Sequence, residues 1–277
     1  MERTLIPQFD IELKLLLEAI YLKYDYDFRH YSLASMKRTL VHAMDRMGCH
    51  TLTVLQEKVL HDTECFYDLL QSLTIPVSEM FRDPSYFLAL REKVIPHLKT
   101  YPSLKIWVAG CSTGEEAYSF LILLQEEELL ERTTLYATDI NPRSLEKAEK
   151  GVLGLDAIQK FTQNYQASGG KRSPSDYYTA AFDSVKLNSA LKKNVTFTDH
   201  SLVTDAVFSE THLISCRNVL IYFDRELQDR AFGLFHESLC RKGFLGLGAQ
   251  ETTQFSKFAK YFDPFVKKDR IFQKAVP

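Results

Sequence analysis

No apolar run in this chain of 277 residues is long enough to cross a bilayer. The N-terminus, MERTLIPQFD, lacks the hydrophobic core of a signal peptide. Both absences argue against membrane insertion and export, and the sequence reads as cytoplasmic. The five cysteines (49, 65, 111, 216 and 240) are scattered and odd in number, with no CxxC spacing. That excludes a disulfide framework and suits a reducing compartment. The eight histidines show no metal-ligand spacing, so no metal site is expected. A net charge of −2 leaves no basic excess for nucleic acid or an anionic membrane surface. No internal repeat or low-complexity tract is visible. What remains is ordinary globular material, 45% hydrophobic and 25% charged, enough for one large or two moderate domains.

The most informative stretch is WVAGCSTGEEAYS, Trp107 to Ser119. An apolar run, Ile106 to Ala109, stops at Gly110; a small-residue turn leads to Gly114; Glu115 and Glu116 then open a helical pattern. This reads as strand, glycine turn and helix N-terminus, where a ligand approaches the backbone closely. The paired acids argue against phosphate, which they would repel, and favour a cationic or hydroxyl-bearing ligand such as S-adenosylmethionine. The same turn is equally compatible with simple architecture. One βα unit later, Thr134 to Thr138 reads as a strand ending at Asp139. An acid there holds ribose hydroxyls or caps the helix that Pro142 begins, and the two roles are compatible.

Residues 9 to about 72 read as a bundle of four helices, with Leu13, Leu16, Leu17 and Ile20 on the apolar face of the first and Gly48 closing the second. Ile75-Pro76-Val77 breaks the pattern, and Asp83-Pro84 starts a helix with Asp83 as N-cap, its face marked by Phe87, Leu90, Val94 and Leu98. From Lys105 strands and helices alternate: strand 105–109, helix 115–131, strand 134–138, helix 142–150, strand 212–216, helix 225–241, strand 244–248, and strands near 262–267 and 270–275. This predicts a parallel-dominated sheet covered on both faces. The excursion Gly151–Asn194 is neither clearly helical nor apolar, although 176–185 has the look of short paired strands. It carries six Lys/Arg against three Asp, and is either a solvated excursion or a small subdomain that contacts a partner. The group Arg29, His30, Lys37, Arg38, His42 and Arg46 is either a solvated helix face or a surface for an acidic partner.

Three further segments make the comparison specific: Pro76-Val77-Ser78-Glu79-Met80-Phe81-Arg82-Asp83, Phe197-Thr198-Asp199-His200-Ser201-Leu202-Val203, and Leu213-Ile214-Ser215-Cys216-Arg217-Asn218-Val219-Leu220-Ile221-Tyr222-Phe223. With VAGCSTGEEAYS and ATDI, in this order, they resemble the CheR family of chemotaxis-receptor glutamate O-methyltransferases over essentially the whole chain. The resemblance implies an all-α N-terminal domain (1–74) and a doubly wound, Rossmann-like α/β class I methyltransferase domain (75–277), with 151–194 as a small inserted β-subdomain. It implies S-adenosyl-L-methionine as cofactor, S-adenosyl-L-homocysteine as product, and chemoreceptor cytoplasmic helices as partner. A regulatory adaptor or second messenger is left open, and a monomer is expected. The family's cofactor contacts fall on Ser78, Arg82, Glu115, Asp139, Ser201, Leu202, Arg217 and Asn218. Serine stands at 78 where relatives often carry Thr, and at 201 where many carry Asn. Serine lacks the amide's paired donor and acceptor. Pro76 has no N–H to donate.

Methylation of a glutamate needs no general base, because a carboxyl with reference pKa about 4.3 is ionised at neutral pH. Alignment and exclusion of water are what a site must supply. Arg82 and Tyr222 are the candidates for aligning the acceptor carboxylate. Their alternatives are a salt bridge from Arg82 to Asp83 or Glu79 and a core aromatic role for Tyr222; for Asn218 the alternative is a turn cap. Cys111 and Cys216, at strand ends, read as buried thiols rather than redox groups.

Overall fold

The computed structural model describes residues 7–74, 78–181 and 183–276. Ile75-Pro76-Val77, and with it the expectation for the Pro76 backbone, lies outside the described residues. Contacts divide the chain into two compact units, Met1–Pro76 with Tyr222–Gln228, and Val77–Ile221 with Asp229–Pro277.

In the first unit, α1 (Gln8–Tyr24), α2 (Leu33–Met47), α3 (Leu52–His61) and α4 (Thr63–Leu73) form the expected all-α domain. Leu13, Leu16, Leu17 and Ile20 of α1 are buried, as their spacing predicts, beside Met36, Leu40, Leu55, Val59, Phe66 and Leu69. Gly48 ends α2 in the left-handed conformation at φ 63°. Thr51 caps α3 by accepting from the Val54 N–H, and Asp62 caps α4 by accepting from the Glu64 N–H. Much of the basic group is matched locally. Arg29 pairs with Asp27 at 2.8 Å and Glu18 at 3.3 Å, Lys37 with Asp10 at 2.5 Å, and Arg46 donates to the Asp68 carbonyl and the Ser72 hydroxyl.

The second unit is Rossmann-like. Its sheet runs β6-β2-β1-β7-β8-β10-β9, built from β1 (Leu104–Ala109), β2 (Thr133–Asp139), β6 (Val195–Asp199), β7 (Thr211–Cys216), β8 (Leu239–Leu247), β9 (Phe262–Val266) and β10 (Ile271–Lys274). The first five strands are parallel, and β10 pairs antiparallel with both β8 and β9. The chain moves outward from β1 to β2 and β6, then crosses to β7 on the other side. This places the topological switch point at the carboxyl ends of β1 and β7, where doubly wound sheets hold ligands.

Helices α5 (Pro84–Ala89) and α6 (Ile95–Leu98) are joined by a π-helical turn, Leu90–Val94. Pro96 cannot donate to the carbonyl four residues earlier, and the widened turn absorbs that loss. Phe87, Leu90, Val94 and Leu98 all face the core. Helix α7 (Glu115–Glu126) ends before the expected residue 131, and Glu128 takes φ 61°. The Glu126 and Glu127 carboxylates turn inward to the buried Arg91, at 2.7 and 2.8 Å, and this stops the helix. After α8 (Pro142–Lys150), the insert forms β3 (Val152–Gly154), α9 (Asp156–Ala167), β4 (Tyr178–Ala181) and β5 (Ser184–Leu187), with strand order β3-β5-β4. Helix α9 corrects the reading of a segment without clear helix; its short apolar face rests on Phe161 and Tyr165 in otherwise polar sequence. Helix α10 (Arg225–Ser238) gives way to β8 at Leu239, short of the predicted residue 241. Among the described residues no helix is long and apolar enough to cross a membrane.

Candidate active site

The glycine turn after β1 is built as the sequence suggests. Gly110 takes φ 76°, and its N–H and that of Cys111 both donate to the Thr138 carbonyl at 2.8 Å. A side chain at Gly110 would meet Val219 Cγ2 at 2.4 Å, so glycine is required by both conformation and space. Gly114, at φ 96°, ends the turn as the N-cap of α7.

The two acids that follow have different roles. Glu115 accepts from the Thr113 hydroxyl, at 2.7 Å and 2.9 Å to its two oxygens. Glu116 accepts from Ser215 Oγ at 2.6 Å and Arg217 Nη1 at 3.0 Å. At the end of β2, Asp139 accepts from the Ser112 N–H at 2.8 Å and the Asn141 N–H at 2.9 Å. Burial raises the Asp139 pKa, and these N–H groups offset only part of that. Asp139 does not cap α8: Asn141 does, accepting from the Arg143 and Ser144 N–H groups. The carboxylate of Asp139 thus retains acceptor capacity for a ligand.

Beyond β6, the Ser201 hydroxyl accepts from the Val203 and Thr204 N–H groups at 3.2 Å, and the Asp205 carboxylate accepts the Ser201 N–H at 2.9 Å. Only the Ser201 O–H remains to donate outward. Leu202 is buried, and His200 packs edge-on against Trp107 and Phe208.

Arg217 follows β7 with its side chain 1% exposed. Its terminal nitrogens go to Glu116, to Asp83 at 2.7 Å and to the Arg82 carbonyl at 2.9 Å, and its guanidinium lies 4.2 Å from the Tyr86 ring centroid. Burial works against its charge, but Glu116, Tyr86 and Asp83 outweigh that and hold its pKa above the ordinary value. Asp83 is therefore engaged by Arg217 and makes no side-chain cap to α5; its φ of 54° places it in the left-handed region. The loop bearing Ser78 and Arg82 is pinned on three sides. Ser119 Oγ accepts the Phe81 N–H at 2.8 Å, Asn164 donates to the Met80 carbonyl at 3.0 Å, and Arg217 holds the Arg82 carbonyl.

Asn218 takes φ 61°, and its N–H donates to the Glu251 carboxylate. Tyr222 groups by contact with the helical unit, where its carbonyl accepts the Ser32 N–H at 2.7 Å. Ser78, Arg82, Glu115, Asp139, Ser201, Leu202, Arg217 and Asn218 all belong to the second unit. Burial pushes the Cys111 and Cys216 thiols well above their ordinary pKa, which leaves them poor nucleophiles.

Sequence reasoning missed that Ser215 and Glu116 fix Arg217, and it missed Glu251 altogether. The only signal for Glu251 is an acid just past the end of a strand of the parallel sheet.

The donor set fits S-adenosylmethionine. Glu115 and Asp139 supply acceptors for hydroxyl and cationic groups, and the buried Arg217 at this edge is already paired with Glu116 and Asp83. Ser112 Oγ and Arg217 Nε, both buried, have no partner among the described residues and flank the β1 and β7 ends.

Comparison with known proteins points the same way. Residues 76–268 match the family described as CheR methyltransferase, SAM binding domain, and residues 11–74 match CheR methyltransferase, all-alpha domain. A Pseudomonas putida protein named as a candidate methyltransferase, Cher3, is 59% identical over 266 residues, covering 96% of this chain and 97% of its own length. The chemotaxis protein methyltransferase of Listeria monocytogenes is 28% identical, covering 81% of this chain and 84% of its own. An uncharacterized Rhodobacter capsulatus protein is 30% identical over 90% of this chain, which spans 27% of that longer protein.

Proposed function

The chain belongs to the CheR methyltransferase family, whose larger domain binds S-adenosylmethionine, and from that premise we propose that it methylates glutamate side chains on the cytoplasmic helices of chemoreceptors. The product is a glutamate methyl ester, formed in the cytoplasm during chemotaxis adaptation or in a related signalling array. The observation that carries this reading is the match of both family domains along nearly the whole chain, with Glu115 and Asp139 at the carboxyl ends of the central strands as its local counterpart.

When bound, S-adenosylmethionine would supply its sulfonium methyl to an ionised carboxylate, the O–CH3 bond forming in line as the S–CH3 bond breaks and S-adenosylhomocysteine leaves. Ser78, Arg82, Glu115, Asp139, Ser201, Leu202, Arg217 and Asn218 are the residues proposed to hold it. Asp139 accepts from ribose hydroxyls; Glu115 faces positive charge; the Ser201 O–H donates. Arg217, with three of its five N–H groups committed internally, has its Nε–H and one Nη1–H left for a ligand, and acts chiefly by holding the Arg82–Asp83 loop. Arg82 orients the acceptor carboxylate. A single donor to one oxygen suits this role, because a full bidentate clamp would dull the nucleophile.

Incubation with labelled S-adenosylmethionine and receptor-rich membranes tests the proposal. Base-labile methyl esters are the expected product, and Arg82→Ala lowers their rate of formation by about a hundredfold, the scale of losing an orienting charge–carboxylate contact. No labelled ester, or full activity in Arg82→Ala, would remove the reading.

A further inference from the structure

The loop after β8 carries a carboxylate that the proposed mechanism does not use. Glu251 is 4% exposed, and its two oxygens take four backbone N–H groups. Oε1 accepts from Val219 at 2.9 Å and Leu220 at 2.8 Å; Oε2 accepts from Asn218 at 3.0 Å and Gly248 at 2.6 Å. The N–H of Glu251 closes the loop by donating to the Gly248 carbonyl at 2.9 Å. All four partners are peptide dipoles, as in an anion-binding nest, and the nearby Arg217 charge adds to them. Burial raises the Glu251 pKa against the pull of the same N–H groups.

An acid placed so unfavourably for its own ionisation needs a reason. Three consecutive N–H groups, Asn218 to Leu220, converge on this one carboxylate at the end of β7. Only an ionised carboxylate is purely an acceptor with room for four donors. The turn it holds begins with Asn218 in the left-handed region. It also reaches across the switch point, because Val219 fills the space beside Gly110 where a Cβ would lie 2.4 Å away. At Gly248 a Cβ would lie 2.8 Å from Glu251 Oε2 and 3.1 Å from Asn218 Nδ2, so the loop fits closely from that side too. One carboxylate therefore ties the ends of β7 and β8 together and, through Val219, sets the glycine turn of β1.

We propose that Glu251 is a positioning residue for the strand ends β7 and β8, fixing the Asn218–Leu220 turn in the geometry that binds the adenosyl ligand without touching that ligand. The role rests on the reading that this turn belongs to the cofactor site.

The test compares the full-length wild type with Glu251→Gln, Glu251→Asp and a control, Glu126→Gln. Glu126 is another buried carboxylate of the same unit, bonded to Arg91, Tyr165 and Tyr177. Glutamine at 251 turns an NH2 group toward N–H donors. S-adenosylhomocysteine affinity by calorimetry is therefore expected to fall about tenfold or more. Aspartate, which keeps the acceptor-only charge, restores part of that loss. Glu126→Gln lowers the melting temperature but leaves affinity within about twofold, since it shares no partner with the turn. Hydrogen exchange at Asn218, Val219 and Leu220 speeds up in Glu251→Gln alone. A folded Glu251→Gln that binds as wild type overturns the proposal and leaves the cofactor site standing. Equal affinity loss in Glu126→Gln also overturns it, by exposing general loosening. A wild type that binds no S-adenosylhomocysteine overturns the cofactor reading and this role together.

Discussion

Replacing Arg217 with methionine removes a guanidinium that is 1% exposed from between Glu116, whose side chain is 14% exposed, and Asp83, at 45%. The two partners lose unequally. Asp83 turns to water at little cost, as an exposed pair member does. Glu116 stays inside with one neutral donor, Ser215, at 2.6 Å. Stripping the partner from a buried charge costs about 3–5 kcal/mol, and the surviving Ser215 bond puts the expectation at the lower end, about 3 kcal/mol. Methionine fills the volume and keeps a sulfur contact with Tyr86, so little is added for a cavity. For a unit of this size that is a fall of about 6–12 °C in melting temperature. Trp107, the single tryptophan and fully buried in β1, reports unfolding of this unit by fluorescence in urea. The double variant Glu116→Gln/Arg217→Met should be more stable than Arg217→Met alone, because the stranded charge is gone. A loss below about 1 kcal/mol for Arg217→Met would refute the reasoning. So would a Glu116→Gln cost that is the same in both backgrounds.

Gly110→Ala combines a left-handed φ with a 2.4 Å clash and should cost about 1–3 kcal/mol by urea denaturation; adding Val219→Ala relieves the clash but not the φ, so only part returns. Asp139→Asn separates function from stability. The folded protein holds the Asp139 proton to higher pH than the unfolded chain, because burial raises its pKa. Its contribution to stability therefore falls as pH rises from about 4 through the folded pKa. The non-titrating Asn variant should gain on wild type in urea denaturation as pH is raised from about 4 to neutrality. Its S-adenosylhomocysteine affinity at neutral pH should fall about tenfold or more. A variant with no such gain and intact affinity would contradict both roles.

Local chemistry made much of this molecule readable. The glycine turn needs residues that accept positive φ, and Gly110 and Gly114 stand there. The strand end at Asp139 is marked by a β-rich run followed by Asn141-Pro142. Four helices with Leu13, Leu16 and Leu17 on one face read directly as a bundle. Long-range partnerships did not read. Arg217 and Glu116 lie 101 residues apart, and no spacing rule couples them. Glu251 meets three of its four partners 31 to 33 residues upstream, through backbone groups that carry no side-chain signature. Strand β6 was missed because its residues are only half-buried at a sheet edge, and α9 because Phe161 and Tyr165 give it little apolar stripe. Asp83-Pro84 has the composition of a capped helix start, yet Arg217 outbids the helix amides for its carboxylate.

The central claim is methyl transfer from S-adenosylmethionine to glutamate on a chemoreceptor. Its most direct test is tandem mass spectrometry of receptor cytoplasmic helices after incubation with the enzyme and isotopically labelled S-adenosylmethionine. The account predicts the label on glutamate side chains, released by mild base and absent without enzyme. Label on another residue type, or on proteins other than receptors alone, would contradict it.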